Sequence, residues 1–332
     1  MTSSITDVSS TPPTALLDTL GAPRGEALML GHVHPDGDVL GTLLGLGLSL
    51  EAHGWSVTFA GPHPVPDTLK FLPGASRWQV WNAPRAEFDV LVLTDCPNDG
   101  RTEGLLEGAR GATSHVLNID HHPDNRRYGT LNWIDATAAA TGEMVFDLIR
   151  ALGHRLTPEI ALNLFTAIHT DTGSFRYSNT TARSFRIAAE LATAGADPGL
   201  VSDQLYQRRP HDALTALGEV LRRVEVSADG RVAWLTIPRG LVSDAFLVAE
   251  DLVTYPRSIE GVEVAILLRE EGDGQVKCSL RGKGRIPVNA IAQRFGGGGH
   301  ANAAGCTVRG PLEDATRAVL ALVDQALRAE SA

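Results

Sequence analysis

Short, continuous apolar runs alternate with longer segments of helical period through the first two thirds of the chain. Ala27–Gly31, Trp55–Ala60, Phe88–Thr94 (FDVLVLT) and Ser114–Ile119 (SHVLNI) have the length and apolar content of buried strands. Gly37–His53, Thr141–Leu152 and Pro158–His169 carry helical patterns, the first with tolerated glycines. Strands that alternate with helices predict βαβ units and a parallel sheet. A further helical pattern runs from Thr181 to about Ala194, and Gly195 supplies its stop signal.

The rhythm then changes. Gln207-Arg208-Arg209-Pro210 is polar and reads as part of a linker. Val220–Ser227 and Arg231–Ile237 read as paired strands around the turn Ala228-Asp229-Gly230. Val262–Leu268 and Gln275–Leu280 form a second pair around Gly272-Asp273-Gly274. Val288–Phe295 reads as a helix, and an amphipathic helix over about Leu312–Arg328 closes the chain. The expected architecture is α/β: a parallel-sheet domain over 15–200, joined by a helical linker at 201–218 to a smaller α/β domain over 219–332. At about 150 residues per domain, 332 residues also suggest two domains.

Composition narrows the class. Hydrophobic residues make up 43% and charged residues 20%, ordinary for a globular chain with a sizeable core. Three well-separated cysteines, Cys96, Cys278 and Cys306, contain no CxxC pair and suggest neither a zinc knuckle nor a disulfide framework. Residues 1–14 are rich in Ser, Thr and Pro, without the basic and apolar regions of a signal peptide, and read as a disordered tail. The apolar run Val39–Leu50 is too short to span a bilayer. The expectation is a cytoplasmic protein with no membrane partner. A net charge of −10 disfavours long polyanions, duplex nucleic acid above all, and favours small anions reached by a few arginines.

The chemistry lies in five clusters. His32-Val33-His34-Pro35-Asp36-Gly37-Asp38 follows the first strand, Asp95 the third and Asp120-His121-His122 the fourth. Asp171 ends a helical segment, and Gly296-Gly297-Gly298-Gly299-His300 lies far downstream. Three clusters thus share the carboxyl edge of the expected sheet, where open α/β folds collect ligands. Their oxygen and nitrogen donors suffice for two divalent metals, which about 3.5–4 Å apart can activate water and stabilise a phosphoryl transition state. Pro35 favours extended geometry at His34. Asp36 or Asp38 alone could merely cap the helix. Asp95, before Pro97, Asn98 and Gly100, could sit in an ordinary turn. Asp120 could fix the tautomer of a neighbouring histidine. His53, His63, His115, His154 and His211 have no partner in sequence and read as surface residues; His169 reads as packing.

In the second half, the backbone of Gly297, Gly298 and Gly299 could approach a phosphate closely, with His300 adding a polar contact. The alternative is a flexible linker. Ser279, Arg281 and Lys283 alternate onto one strand face, where an arginine can grip a phosphate bidentately.

Together, HxxPDxD, the lone Asp95, Asp120-His121-His122 and Thr170-Asp171-Thr172-Gly173 resemble the four motifs of the DHH phosphoesterase superfamily, in order. Gly297-Gly298-Gly299-His300-Ala301-Asn302-Ala303-Ala304-Gly305 resembles the mark of its DHHA1 domain, and the resemblance covers roughly residues 15–330. It implies one manganese held by His32, Asp36 and Asp95 and another by Asp38, Asp95, His121 and Asp171, with Mg²⁺ or Co²⁺ as substitutes. It further implies that His122 contacts the scissile phosphate, that Asp120 orients it, and that Arg101 reaches the phosphate. Ser279, Arg281, Gly297, Gly298, Gly299 and His300 would hold the far end of the substrate. The size resembles the stand-alone oligoribonuclease and 3′-phosphoadenosine 5′-phosphate (pAp) phosphatase group, and the cyclic di-AMP or pApA phosphodiesterases. The implied partner is a short RNA or nucleotide, and a homodimer is compatible with this. One departure is the second motif, Asp95-Cys96-Pro97-Asn98, where many relatives read Asp-Thr-Ala-Asn. A pyrophosphatase, which would lack the downstream glycine motif, and a nucleotide-binding regulator with an inactive site are the competing readings.

Overall fold

The computed structural model describes residues 11–22, 25–83, 88–111, 113–209, 211–243 and 252–331. The chain forms two compact units, Met1–Arg208 and Arg209–Ala332.

The first unit is built on a six-stranded sheet: β1 (Glu26–Leu30), β2 (Ser56–Gly61), β3 (Gln79–Val80), β4 (Phe88–Thr94), β5 (Thr113–Asp120) and β6 (Leu131–Ile134). Every pairing is parallel, in the order β3-β2-β1-β4-β5-β6. Strands β1 and β4 are apolar almost throughout because helices cover both faces. One face carries the large cluster around Met29, Leu43, Phe59 and Leu164; the other packs Leu30, Leu91, Leu93 and Leu106.

Helix α2 (Gly37–Glu51) is buried along nearly its whole length. Its glycines are required rather than tolerated: a Cβ on Gly41 would lie 2.4 Å from the Asn163 carbonyl oxygen of the helix Pro158–Asp171. The strand order reverses between β1 and β4. That switch point opens a crevice at the carboxyl ends of the strands, and the chain leaving β1 and β4 lines it.

Residues 1–10 of the expected tail lie outside the described residues. Its last residue, Thr14, starts helix α1 (Thr14–Leu20), because Leu16 and Leu20 anchor that segment in the core. The segment expected as linker overlaps two helices, Pro198–Tyr206 and His211–Leu221, with Pro210 outside the described residues.

The second unit carries a six-stranded sheet of order β11-β12-β10-β9-β8-β7. These strands are β7 (Val224–Val226), β8 (Val232–Ile237), β9 (Val264–Glu270), β10 (Gln275–Gly282), β11 (Gly298–His300) and β12 (Ala303–Arg309). Only β8 and β9 pair in parallel. The expected strand Val220–Ser227 is shorter than its apolar pattern. Val220 is a buried residue of the helix His211–Leu221, packed beside Leu217, Leu235 and Ile237, so the strand begins at Val224. Along β12 the buried residues Ala304, Cys306 and Val308 alternate with exposed ones, a period-2 pattern hidden in sequence by small residues. Among the described residues no helix is long and apolar enough to cross a membrane.

Candidate metal centre

His32 leaves β1, Asp95 leaves β4 and Asp120 ends β5, so three adjacent strands deliver the clusters to one edge. Asp95 has φ +51°. This left-handed turn, which a short polar side chain tolerates, ends the strand and stations the carboxylate among imidazoles. Its Oδ2 lies 3.7 Å from His32 Nε2, while Oδ1 lies 3.4 Å from both His121 Nε2 and His122 Nδ1.

Backbone carbonyls set the ring tautomers. His32 Nδ1 donates to the Val33 carbonyl at 2.7 Å, and His121 Nδ1 to the Ala138 carbonyl at 3.2 Å. A carbonyl can only accept, so in the neutral ring each Nε2 carries the lone pair. His121 Nε2 faces Asp95, Asp171 Oδ2 at 3.4 Å and Asp38 Oδ2 at 4.0 Å. Asp171 arrives as the last residue of Pro158–Asp171.

The two first-motif carboxylates have different supports. Asp36 does cap α2: its Oδ1 accepts from the amides of Asp38 and Val39, both at 3.1 Å. The same side chain lies in a group with His32 and Asp95, so capping holds it in place without removing it from the site. Asp38 is buried, and its oxygens accept from the amides of Thr141 and Gly142 at 2.7 and 2.9 Å. Those amides open the helix Thr141–Ala151, whose N-terminal dipole favours the charge. No sequence motif marks Thr141 and Gly142 for this task.

Asp120 Oδ1 accepts from His122 Nδ1 at 2.8 Å, and its Oδ2 from Asn125 Nδ2 at 2.6 Å. Asn125 also donates to the Cys96 carbonyl at 3.3 Å, joining the β4 and β5 turns. It was missed as a site residue; its position shortly after Asp120-His121-His122 was the available signal. Cys96 is buried and its Sγ donates to the Asn98 carbonyl at 3.2 Å, so a thiol braces this turn. Burial pushes that thiol up to about 11. Arg101 stands 3.2 Å from His32 Nδ1, and its carbonyl accepts the Val33 amide at 2.8 Å. The structure therefore places Arg101 against a site imidazole.

These donors strain one another electrostatically. Burial, then Asp95 and Asp171, raise the Asp38 carboxyl well above the usual range. Burial lifts Asp171 to about 6, with Asp95 and Asp36 adding to the rise. Burial opposes charge on Asp95 as well, but His122, His121 and His32 outweigh it and hold that carboxyl low. Buried His32 Nε2 and Asp95 Oδ1 make no hydrogen bond, a costly condition in a protein interior. Among the described residues of the first unit, three groups have donor atoms mutually within 4.8 Å: His32, Asp36 and Asp95; Asp38, Asp95 and His121; and Asp95, Asp120 and His122. Lone-pair nitrogens beside buried, mutually repelling carboxylates fit divalent cations.

In the second unit, His300, Ala303 and Arg281 occupy one cross-strand row, and Gly298, Gly305 and Ser279 another. Lys277, Ser279 and Arg281 share the open face of β10, while Val276, Cys278 and Leu280 face the core. Lys283 lies past β10 and donates to the Ile259 carbonyl at 3.2 Å. The glycine run forms strand β11 rather than a linker. A Cβ on Gly297 would lie 2.1 Å from the Gly305 oxygen, and one on Gly299 2.5 Å from the Ala303 oxygen, so close strand packing itself demands glycine.

The DHH family N-terminal domain matches residues 26–168, and the DHHA1 domain matches residues 247–329. A Thermus thermophilus protein, the bifunctional oligoribonuclease and PAP phosphatase NrnA, is 37% identical over 93% of this chain and 93% of that protein. The chain belongs to the DHH family. A Bacillus subtilis DHH relative of the same name is 29% identical over 83% of this chain and 87% of its own length. The cyclic-di-AMP phosphodiesterase GdpP of Geobacillus thermodenitrificans is 28% identical over 86% of this chain but only 45% of its own length. Among solved structures, an exopolyphosphatase-related protein from Bacteroides fragilis aligns with a TM-score of 0.86 at 26% identity, covering 96% of this chain and 98% of that one. DHH-family phosphoesterases are metal-dependent, in keeping with the donors gathered here.

Proposed function

We propose that this DHH-family enzyme hydrolyses short oligoribonucleotides to mononucleotides with two Mn²⁺ ions, and also removes the 3′-phosphate of pAp. The observation that carries this reading is the position of Asp95. Its two oxygens face separate imidazoles, dividing the donors into two sets with one shared member. His32, Asp36 and Asp95 would hold one ion, and Asp38, Asp95, His121 and Asp171 the other. When bound, the pair supplies an activated water and charge stabilisation at phosphorus. Mixed imidazole and carboxylate donors suit Mn²⁺ better than an all-oxygen Mg²⁺ site; Mg²⁺ or Co²⁺ would substitute.

The chain's own residues do the rest. Asp120 accepts the Nδ1 proton of His122, and against the effect of burial Asp95 and Asp120 raise the pKa of that ring, so its protonated form can donate from Nε2 to a phosphoryl oxygen. Water adds at phosphorus, the bond to the leaving ribose oxygen breaks, and that oxygen takes up a proton. Arg101, whose guanidinium stands beside the His32 ring, would reach the phosphate. Ser279, Arg281, His300 and the backbone of Gly297–Gly299 form a patch for the far phosphate of the substrate. A terminal grip of this kind favours short substrates, and the net charge of −10 agrees in disfavouring long duplex nucleic acid. A domain division at 15–200, 201–218 and 219–332, a cytoplasmic setting and a homodimer complete the proposal.

The second reading is a cyclic di-AMP or pApA phosphodiesterase, favoured by the similarity to GdpP across 86% of this chain. A Mn²⁺ substrate panel of pApA, cyclic di-AMP, pAp, short and long RNA and pyrophosphate, compared by kcat/KM, separates the two. Preference for short linear RNA and pAp supports the first reading. Preference for cyclic di-AMP replaces it with the second, and turnover of pyrophosphate alone refutes both.

A further inference from the structure

His63 has no partner in sequence and reads as a surface residue, yet the fold assigns it one. Its Nδ1 accepts the backbone N–H of His34 at 3.0 Å. The His63 and His34 rings also meet edge to face, with centroids 4.4 Å apart. His34 lies between His32 and Asp36, two residues from each. Contrary to the extended geometry that Pro35 favours, its φ is +51°. A histidine with positive φ is an uncommon conformation that persists only where the surroundings over-determine it.

The surroundings do so from two sides. On one, the Val33 amide donates to the Arg101 carbonyl at 2.8 Å. On the other is His63, itself anchored. Trp78 Nε1 donates to the His63 carbonyl at 3.0 Å, and the Trp78 ring fills the space over Gly31 and Gly61, where a Cβ would come within 2.5 and 2.6 Å. Because Nδ1 accepts, the His63 proton sits on Nε2, which is turned toward Glu103 at 3.7 Å.

We propose that His63 is a positioning residue for the metal centre: by accepting the His34 amide it locks the loop 32–36, so that His32 and Asp36 point at the ion they share with Asp95. This rests on the two-metal reading above. It predicts a selective defect, since the second donor set draws on Asp38, His121 and Asp171, none of which His63 touches among the contacts described. Partners one step removed from a metal's ligands usually cost about 10–100-fold in affinity when lost.

The test is equilibrium Mn²⁺ binding to the full chain, read from the electron paramagnetic resonance signal of free Mn²⁺, for wild type, His63→Leu and His63→Asn. Leucine removes the acceptor; asparagine returns an oxygen near the Nδ1 position. The expected result is two sites in wild type, one of them weakened about 10–100-fold in His63→Leu and restored to within about threefold in His63→Asn. Far-ultraviolet circular dichroism and thermal unfolding without metal establish that each variant is folded. If His63→Leu binds both ions like wild type, loses both equally, or is not rescued by His63→Asn, the positioning role is wrong while the two-metal reading stands. If wild type itself fails to bind two ions, both are overturned.

Discussion

Replacing Asp95 with asparagine tests the metal centre at its most connected point. Asparagine keeps the shape of the side chain and tolerates the left-handed backbone, so the φ of +51° can persist and the effect isolates ligation from folding. What changes is that the shared carboxylate, with one oxygen 3.7 Å from His32 and the other 3.4 Å from His121, becomes a neutral amide. Loss of partners that merely support ligands costs about 10–100-fold in metal affinity. Loss of a shared ligand should therefore cost each ion at least about 100-fold, or about 2.7 kcal/mol at about 1.36 kcal/mol per decade. If both losses bear on the transition state, about 5.4 kcal/mol disappears and turnover falls by about four orders of magnitude. Equilibrium dialysis with Mn²⁺ near the wild-type Kd, followed by elemental analysis, reads the first quantity; hydrolysis of pApA at the same Mn²⁺ concentration reads the second. An Asp95→Asn protein that binds both ions within about threefold of wild type, or keeps wild-type turnover, would refute the shared-ligand arrangement.

Arg281→Ala should raise KM for short RNA with little change in kcat, because a far-phosphate contact is made equally in ground and transition states; steady-state kinetics decide it. Gly297→Ala drives a Cβ to 2.1 Å from the Gly305 oxygen and should cost about 1–3 kcal/mol, visible as a lower urea midpoint of the second unit. Mn²⁺ at about 100 times its Kd should stabilise the fold by about 2.7 kcal/mol per ion, seen as a rise in Tm that EDTA reverses. Burial and the neighbouring His53, stacked at 3.3 Å, hold His154 down at about 4. A depressed folded pKa means that the unfolded chain takes the proton first. This stabilising contribution is therefore complete above about pH 6.5 and is lost as pH falls toward 4. His154→Gln should show a smaller drop in Tm than wild type between pH 7 and pH 4.5; equal drops would exclude the pair as a source of acid sensitivity.

The alternation of apolar runs with helical patterns determined the parallel sheet of the first unit, because strands covered on both faces must be largely apolar, and β1 and β4 are nearly so throughout. The clustering of candidate site residues was equally legible: His32, Asp95 and Asp120 stand where strands stop, and an acidic or imidazole side chain there interrupts an otherwise buried pattern. The β7 boundary was not legible, because Val220 is buried as part of a helix and apolar content does not distinguish the two states. Nor was β12, whose alanines and glycine carry little hydrophobic signal. Only the tertiary structure decided which group supports which site residue. The amides of Thr141 and Gly142 on Asp38, Asn125 on Asp120 and His63 on His34 are contacts between segments far apart or lacking any local pattern. Strand and helix periods arise from neighbours along the chain, so a sequence displays them. The orientation of a buried carboxylate or imidazole depends on hydrogen-bond partners brought in by other elements, and those partners are largely backbone amides for the carboxylate and carbonyls for the imidazole, which no sequence pattern marks.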